Sequence, residues 1–227
     1  MIIQQPLPKS LSSHLNELNA LIAPSKDVDC FNPINIENFY KSNEMFKRND
    51  SSYEFIDDIR SGQVIPVPIL TISYFLAHLG ASSFGKNVVV LKESKLVGSH
   101  ASRFLQKRGA NVSIINDFEN GLNFSSRVLL QNADIIISDV NKQNTFNYND
   151  LKEGAIVIDA GTFCDEESGK ILGDFDIRDL NLESNAKNIH YTPSPGGYGP
   201  VSTTMVMRNL LACWHTQQKL AKSSCQV

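Results

Sequence analysis

The rhythm of apolar residues changes about a third of the way along the chain. Before residue 80 it is irregular. Ile2 to Leu7 is a short apolar stretch closed by Pro6 and Pro8, as a strand running into a loop would be. Ser10 to Ser13, with Glu17 following, gives a helix-start signal, and Leu11, Leu15, Leu18, Leu21 and Ile22 fall on one helical face until Pro24. Ile36 to Tyr40 predicts a second short helix, and Leu70 to Leu79 an apolar one stopped by Gly80. Beyond residue 80, short β-branched runs alternate with helical stretches. Val88 to Leu91, Val112 to Ile115, Ala133 to Ser138 and Ala155 to Asp159 read as strands, with helices over Ser99–Lys107 and Ser126–Asn132 between them. Strands buried on both faces and separated by helices form a parallel sheet, so the fold class is α/β. The tail from Thr203 to Leu220 predicts one helix whose apolar side carries Met205, Leu210, Leu211 and Trp214.

Composition narrows the function classes. The 227 residues carry a formal charge of −3, with 21 basic against 24 acidic side chains. A nucleic-acid binder would need a basic stripe, so no nucleic-acid partner is expected. No apolar run approaches the length of a membrane-crossing helix, and no basic region followed by an apolar stretch opens the chain. Neither a membrane nor a secretory route is expected. Cys30, Cys164, Cys213 and Cys225 lie far apart, which suits reduced thiols in a cytoplasmic protein and offers no metal-ligand spacing.

Three places hold candidate chemistry. In a doubly wound sheet the first strand-to-helix turn presents a helix N-terminus to a dinucleotide pyrophosphate. Here that turn runs from Leu91 to His100 and holds one glycine, Gly98, so the G-x-G-x-x-G fingerprint is absent and a plain βα connection reads equally well. Asp117 stands 19 residues beyond Gly98, where an acidic side chain accepts from ribose hydroxyls and repels a 2′-phosphate. A solvated loop carboxylate is the alternative there. Tyr191 to Val201 packs three prolines and three glycines into one segment that should be neither helix nor central strand. Such a loop suits a flat ligand, or a rigid crossover between domains.

The segment Thr192 to Pro200 resembles the T-P-V-P-G-G-V-G-P signature of the bifunctional methylenetetrahydrofolate dehydrogenase/methenyltetrahydrofolate cyclohydrolase family. Colinear segments agree. Ile3 to Pro8 is similar to V-Q-L-P-L-P, Pro24 to Asn35 to P-x-K-D-V-D-G-F-x-x-x-N, and Gly85 to Val90 to G-K-x-V-V-V. Ala133 to Ser138 and Gly154 to Gly161 resemble two later strands, and Gly169 to Asp176 is similar to G-x-L-x-G-D-V-D. The resemblance implies a Rossmann-type NAD(P)-binding domain over residues 80–202. It also implies part of an α/β folate-binding catalytic domain over 1–79, completed by the helix 203–220. The implied reaction is NAD(P)-dependent oxidation of 5,10-methylenetetrahydrofolate, followed in the family by cyclohydrolysis to 10-formyltetrahydrofolate. Gln4 would help hold a catalytic lysine, and Asp27 would bind the pterin. Pro195, Gly196 and Gly197 would lie beside folate, and Thr192, Ser94 and Thr162 would contact the dinucleotide. By analogy with the family a homodimer is expected, and a longer form would direct the protein to mitochondria.

The departures from the pattern carry expectations of their own. The family's Y-x-x-x-K pair lies upstream of V-Q-L-P-L-P; the one Y-x-x-x-K spacing in the 227 residues, Tyr148 to Lys152, falls far downstream of that segment and does not correspond to it. The chain therefore reads as an N-terminally short member. Without a positioned amine the proton transfers of cyclohydrolysis lack their agent, so weak or absent activity is expected. A non-catalytic Rossmann module that dimerises or regulates is the alternative. The family's G-R-S turn is Lys92-Glu93-Ser94, and its serine after the second strand is Asp117. Two carboxylates facing a 2′-phosphate favour NAD over NADP, while Lys92 and Lys95 are placed to meet a pyrophosphate. The A-V-G after the third strand has become Asp139-Val140-Asn141, and His100 stands where the family has proline in the turn, so it is expected to cap the helix.

Overall fold

The computed structural model describes residues 1–3, 7–8, 10–41, 58–92, 97–118, 121–165, 169–177 and 186–224. The chain divides into two compact units. Among the described residues, the first comprises 1–41, 58–73 and 202–224, and the second 74–201.

The first unit is helical: α1 (Leu15–Leu21), α2 (Pro33–Lys41), the opening turns of α3 (Val67–His78) and most of α6 (Tyr198–Ser224). The strand expected over Ile2–Leu7 is not formed at residues 1–3 or 7–8, and the rest of that stretch lies outside the described residues. The expected leucine face of α1 turns inward only in part, with Leu15 and Leu18 half-buried and Ile22 buried. Leu21 is 81% exposed while Asn19 is buried. Of the four apolar residues expected on the inner side of α6, only Met205 is buried. Leu210, Leu211 and Trp214 are about half exposed, and Met205, Arg208, Asn209, Ala212 and Cys213 are buried. Asn209 makes this possible because every polar atom of its amide has a backbone partner. Its Nδ2 donates to Val28 O at 2.8 Å and Ile65 O at 2.7 Å, and its Oδ1 accepts from Ile65 N at 3.3 Å. Arg208 donates from Nη1 to Gln63 O and from Nη2 to Asp58 O. Buried polar groups are tolerated only when so satisfied.

The second unit is built on a parallel sheet of five strands: β1 (Asn87–Lys92), β2 (Asn111–Ile115), β3 (Ile135–Asp139), β5 (Ile156–Asp159) and β9 (His190–Tyr191). Their order across the sheet is β2-β1-β3-β5-β9. The central strands β1 and β3 bury both faces, as their unbroken β-branched runs require, while the edge strand β2 is largely open. Helix α4 (Val97–Lys107) follows β1 and buries Ala101, Phe104 and Leu105. Helix α5 (Phe124–Gln131) follows β2, with the Asn123 side chain accepting from Ser126 N at 2.8 Å as its N-cap. Two minor pairs complete the unit: β4 (Phe146–Asn147) beside β8 (Phe175–Asp176), and the antiparallel β6 (Phe163–Cys164) with β7 (Ile171–Leu172).

One expectation fails at the Pro/Gly-rich segment. Tyr191 ends β9 at the sheet edge, and Tyr198 to Val201 form the first turn of α6. Pro200 is the third residue of that helix, where its missing N–H has no intrahelical partner to lose. Only Thr192 to Gly197 are irregular.

Candidate functional site

The order of the sheet sets where a ligand can enter the second unit. β1 leads through α4 to β2 on one side, and β3 lies on the other side of β1. That reversal opens a crevice at the carboxyl ends of β1 and β3, the binding position of doubly wound sheets. Lys92 ends β1 and Asp139 ends β3, and the two are register partners. The α4 N-terminus points its first N–H groups, which have no intrahelical acceptor, at the same place.

Those N–H groups already have an acceptor. Asp139 Oδ2 accepts from Val97 N at 3.2 Å and from Gly98 N at 3.3 Å, and the Asp139 residue is only 5% exposed. Lys92 extends along the same turn. Its Nζ donates to Ser99 Oγ at 2.9 Å, and a Cβ at Gly98 would collide with its aliphatic stem. Gly98 is thus a glycine because a lysine lies across it. His100 is the fourth residue of α4 rather than its cap. Burial, followed by the nearby Arg103 charge, holds its imidazole down to about 4.

Asp117 is exposed beyond the end of β2. Thr162 is exposed too, its N–H donating to Asn141 Oδ1 at 3.0 Å. Thr192 is buried, and its hydroxyl accepts from Asp159 N at 2.8 Å, so this side chain ties the segment to β5. Pro195 follows a cis peptide bond and is exposed, Gly196 has φ +105°, and Gly197 donates its N–H to Pro193 O at 2.8 Å. A side chain at Gly197 would press on Thr192 and on Pro193 O, whereas space around Gly196 is open. Gln4, Glu93 and Ser94 lie outside the described residues, as does Lys95.

Beneath this loop sits a carboxyl pair that sequence reading left without a role. Asp159 accepts from Gly161 N at 3.0 Å and Phe175 N at 3.0 Å. Asp174 accepts from Ser138 Oγ, from Val140 N at 2.8 Å and from Lys142 N at 3.0 Å. Both are buried, at 2% and 0% exposure. Burial, with the Asp174 charge second, lifts Asp159 to about 7, and burial raises Asp174 as well. Together they hold the ends of β3 and β5 and the strand β8 in place. The signal in the sequence is an aspartate closing each of the apolar runs of β3 and β5, Asp139 and Asp159, and another, Asp174, just before β8.

In the first unit, Asp27 is buried and held by three donors. Its carboxylate accepts from Phe31 N at 3.2 Å, Asn32 N at 2.9 Å and Asn35 Nδ2 at 2.9 Å. Its neighbour Asp29 is raised to about 6, by burial first and then by the Asp27 charge. Beside them is a cavity of about 320 Å³ whose walls include Pro24, Asn35, Phe39, Cys213 and Thr216. Asn35 links that wall to Asp27, but Asp27 itself is not on it.

Comparison with known proteins agrees with this architecture. Residues 66–218 match the family model described as tetrahydrofolate dehydrogenase/cyclohydrolase, NAD(P)-binding domain. The chain is 34% identical over 211 residues to the Bifunctional protein FolD of Staphylococcus aureus (strain Newman), covering 93% of this chain and 64% of that protein. The chain therefore spans about 64% of the length of the curated relatives it matches. Among solved structures, the bifunctional enzyme FolD of Campylobacter jejuni is 28% identical with a TM-score of 0.67, covering 95% of this chain and 66% of that one. The Trypanosoma brucei enzyme, complexed with NADP cofactor and inhibitor, shares the fold at a TM-score of 0.72 and 23% identity, covering 95% of this chain and 66% of that one.

Proposed function

The chain belongs to the tetrahydrofolate dehydrogenase/cyclohydrolase family, and from that premise we propose that it is a nicotinamide-dinucleotide-dependent protein of folate one-carbon chemistry. The reaction we assign is oxidation of 5,10-methylenetetrahydrofolate to the methenyl form. The observation that supports it is the β1/β3 crevice of a parallel sheet lying within the matched residues 66–218. When bound, the dinucleotide would supply the hydride acceptor.

The residues present fit the two ends of such a ligand unequally. At the ribose end Asp117 is exposed beyond β2 and able to accept from two hydroxyls. A carboxylate there disfavours a 2′-phosphate, so we assign NAD rather than NADP. Glu93, which the family resemblance sets where an arginine would pair with a 2′-phosphate, adds to that preference. At the phosphate end the fit is poor, because the N–H groups of Val97 and Gly98 already face Asp139. For the folate, Asp27 is the candidate pterin contact. Its carboxylate has three donors and capacity for about four. Pro195 and Gly196 offer an exposed backbone edge to a flat ring, with Gly197 buried behind them. A homodimer is part of the same proposal, and sedimentation of the purified chain at twice the monomer mass is the expected outcome.

Titration calorimetry with NAD, NADP and tetrahydrofolate, alongside cofactor reduction with methylenetetrahydrofolate, tests the reading. Heat with NAD exceeding that with NADP is expected, together with a folate signal. No heat with any of the three would sink it in favour of a non-catalytic module.

A further inference from the structure

We propose that Asp139 is an internal competitor for the dinucleotide phosphates, so that its carboxylate sets how tightly this chain holds any nucleotide. The inference rests on the proposed entry of a nicotinamide dinucleotide into the β1/β3 crevice. Among the described residues, the mouth of that crevice is where the geometry opposes such a ligand.

The first backbone N–H groups of a helix lack intrahelical acceptors and carry partial positive charge, which makes them an anion site. In α4 two of those groups, on Val97 and Gly98, converge on one oxygen of Asp139 at 3.2 and 3.3 Å. The carboxylate arrives from the end of β3, across the crevice, and is buried to 5% exposure. It is an anion delivered by the fold to the spot a pyrophosphate oxygen would need. Both cannot accept from the same two hydrogens, and two anions brought into contact repel strongly in a partly desolvated site. The Lys92 stem across Gly98 narrows the same approach. Its Nζ, 2.9 Å from Ser99 Oγ, stays beside the turn and is able to turn toward a phosphate once Asp139 is displaced. Nucleotide binding in this chain therefore requires the Asp139 carboxylate to leave the α4 N–H groups. Affinity for the adenosine portion, which does not touch them, is independent of that step.

The test uses the full chain and two variants, Asp139→Asn, which keeps the shape and removes the charge, and Asp139→Ala, which removes both. Affinities for NAD, ADP and adenosine are measured by calorimetry at one ionic strength. Circular dichroism and thermal unfolding confirm that each variant is folded. Asp139→Ala is expected to melt lower through loss of its cap, and Asp139→Asn keeps the test intact if Asp139→Ala fails to fold. NAD and ADP should bind Asp139→Asn about tenfold more tightly than the native chain, a helix-end charge effect at its upper range, with adenosine unchanged. Unchanged or weaker NAD binding in both variants would overturn the inference while leaving the NAD reading standing if the native chain binds. Equal tightening of adenosine would also overturn it, since general loosening would then be the cause. No binding of NAD to the native chain or to either variant overturns the inference and the reading together. Binding only in the variants supports the inference and removes the native chain from the cofactor-dependent class.

Discussion

Asp159 and Asp174 show how much of this protein is decided at single positions. Neither residue type nor spacing marks them as a pair, because Asp174 is 15 residues further along, in the bend before β8. Packing puts both carboxyls out of water, and each collects hydrogen bonds from segments it would otherwise not meet. The consequence is a pH dependence. Asp159 has a folded-state value of about 7 against an ordinary 3.8, with burial the main cause and Asp174 the second. The folded state then keeps a proton that the unfolded chain releases from about pH 4 upward. Stability from this group is therefore undiminished below about pH 4 and lost progressively toward pH 7, with no further loss above. Asp159→Asn cannot ionise. The stability of the native chain minus that of Asp159→Asn should fall between pH 4 and 7 in denaturant titrations and be level above. A difference independent of pH would show that Asp159 is ionised throughout. Asp139 belongs to the same class of residue: visible in the sequence as an acidic strand end, it is legible as a helix cap only once β3 and α4 are side by side.

Among elements, the helices differ in how far their sequence declares them. Helix α5 is declared locally, by Asn123 as N-cap and Leu130 as its buried anchor. Asn123→Ala should cost about 1 kcal/mol, read as a lower denaturant midpoint with unchanged slope. Helix α6 is declared as a helix but not as to its inward face. Its Leu210, Leu211 and Trp214 are half exposed, and the buried side is anchored by Asn209. Asn209→Ala removes the donors to Val28 O and Ile65 O and the acceptor for Ile65 N. With buried backbone groups left unpaired, the expected loss is about 2–4 kcal/mol. Leu210→Ala, on the exposed face, should cost less than Asn209→Ala. Thermal unfolding of the two variants side by side distinguishes a polar anchor from an apolar one. A hydrophobic-pattern reading favours the opposite order, because it cannot register an amide whose every partner is a distant backbone group.

For the whole molecule, the two units are a matter of which stretches of chain meet. Residues 202–224 join 1–41 and 58–73, although 128 residues separate Ser73 from Ser202. The second unit holds the sheet and, if the proposed crevice is the binding site, the nucleotide. A ligand that binds only the folded state stabilises it, by about 2.7 kcal/mol at a hundredfold excess over Kd. In hydrogen exchange, NAD should slow the amides of β1, β3 and the first turn of α4 more than those of α1 and α2. Protection confined to α1 and α2 would place the nucleotide in the first unit and count against the β1/β3 crevice.

The amino-acid sequence by itself determined the α/β class, the strand-helix alternation after residue 80 and the family. These are written in local periodicity and in short colinear motifs, each readable without knowing what it packs against. The tertiary structure alone decided which face of α1 and α6 is buried, that Thr192 holds β5 rather than standing free, and that an aspartate from β3 lies on the N-terminus of α4. Each of those depends on hydrogen bonds between segments tens of residues apart. A partner's direction and distance leave no period in the chain, so such bonds exist only once the fold has brought donor and acceptor together.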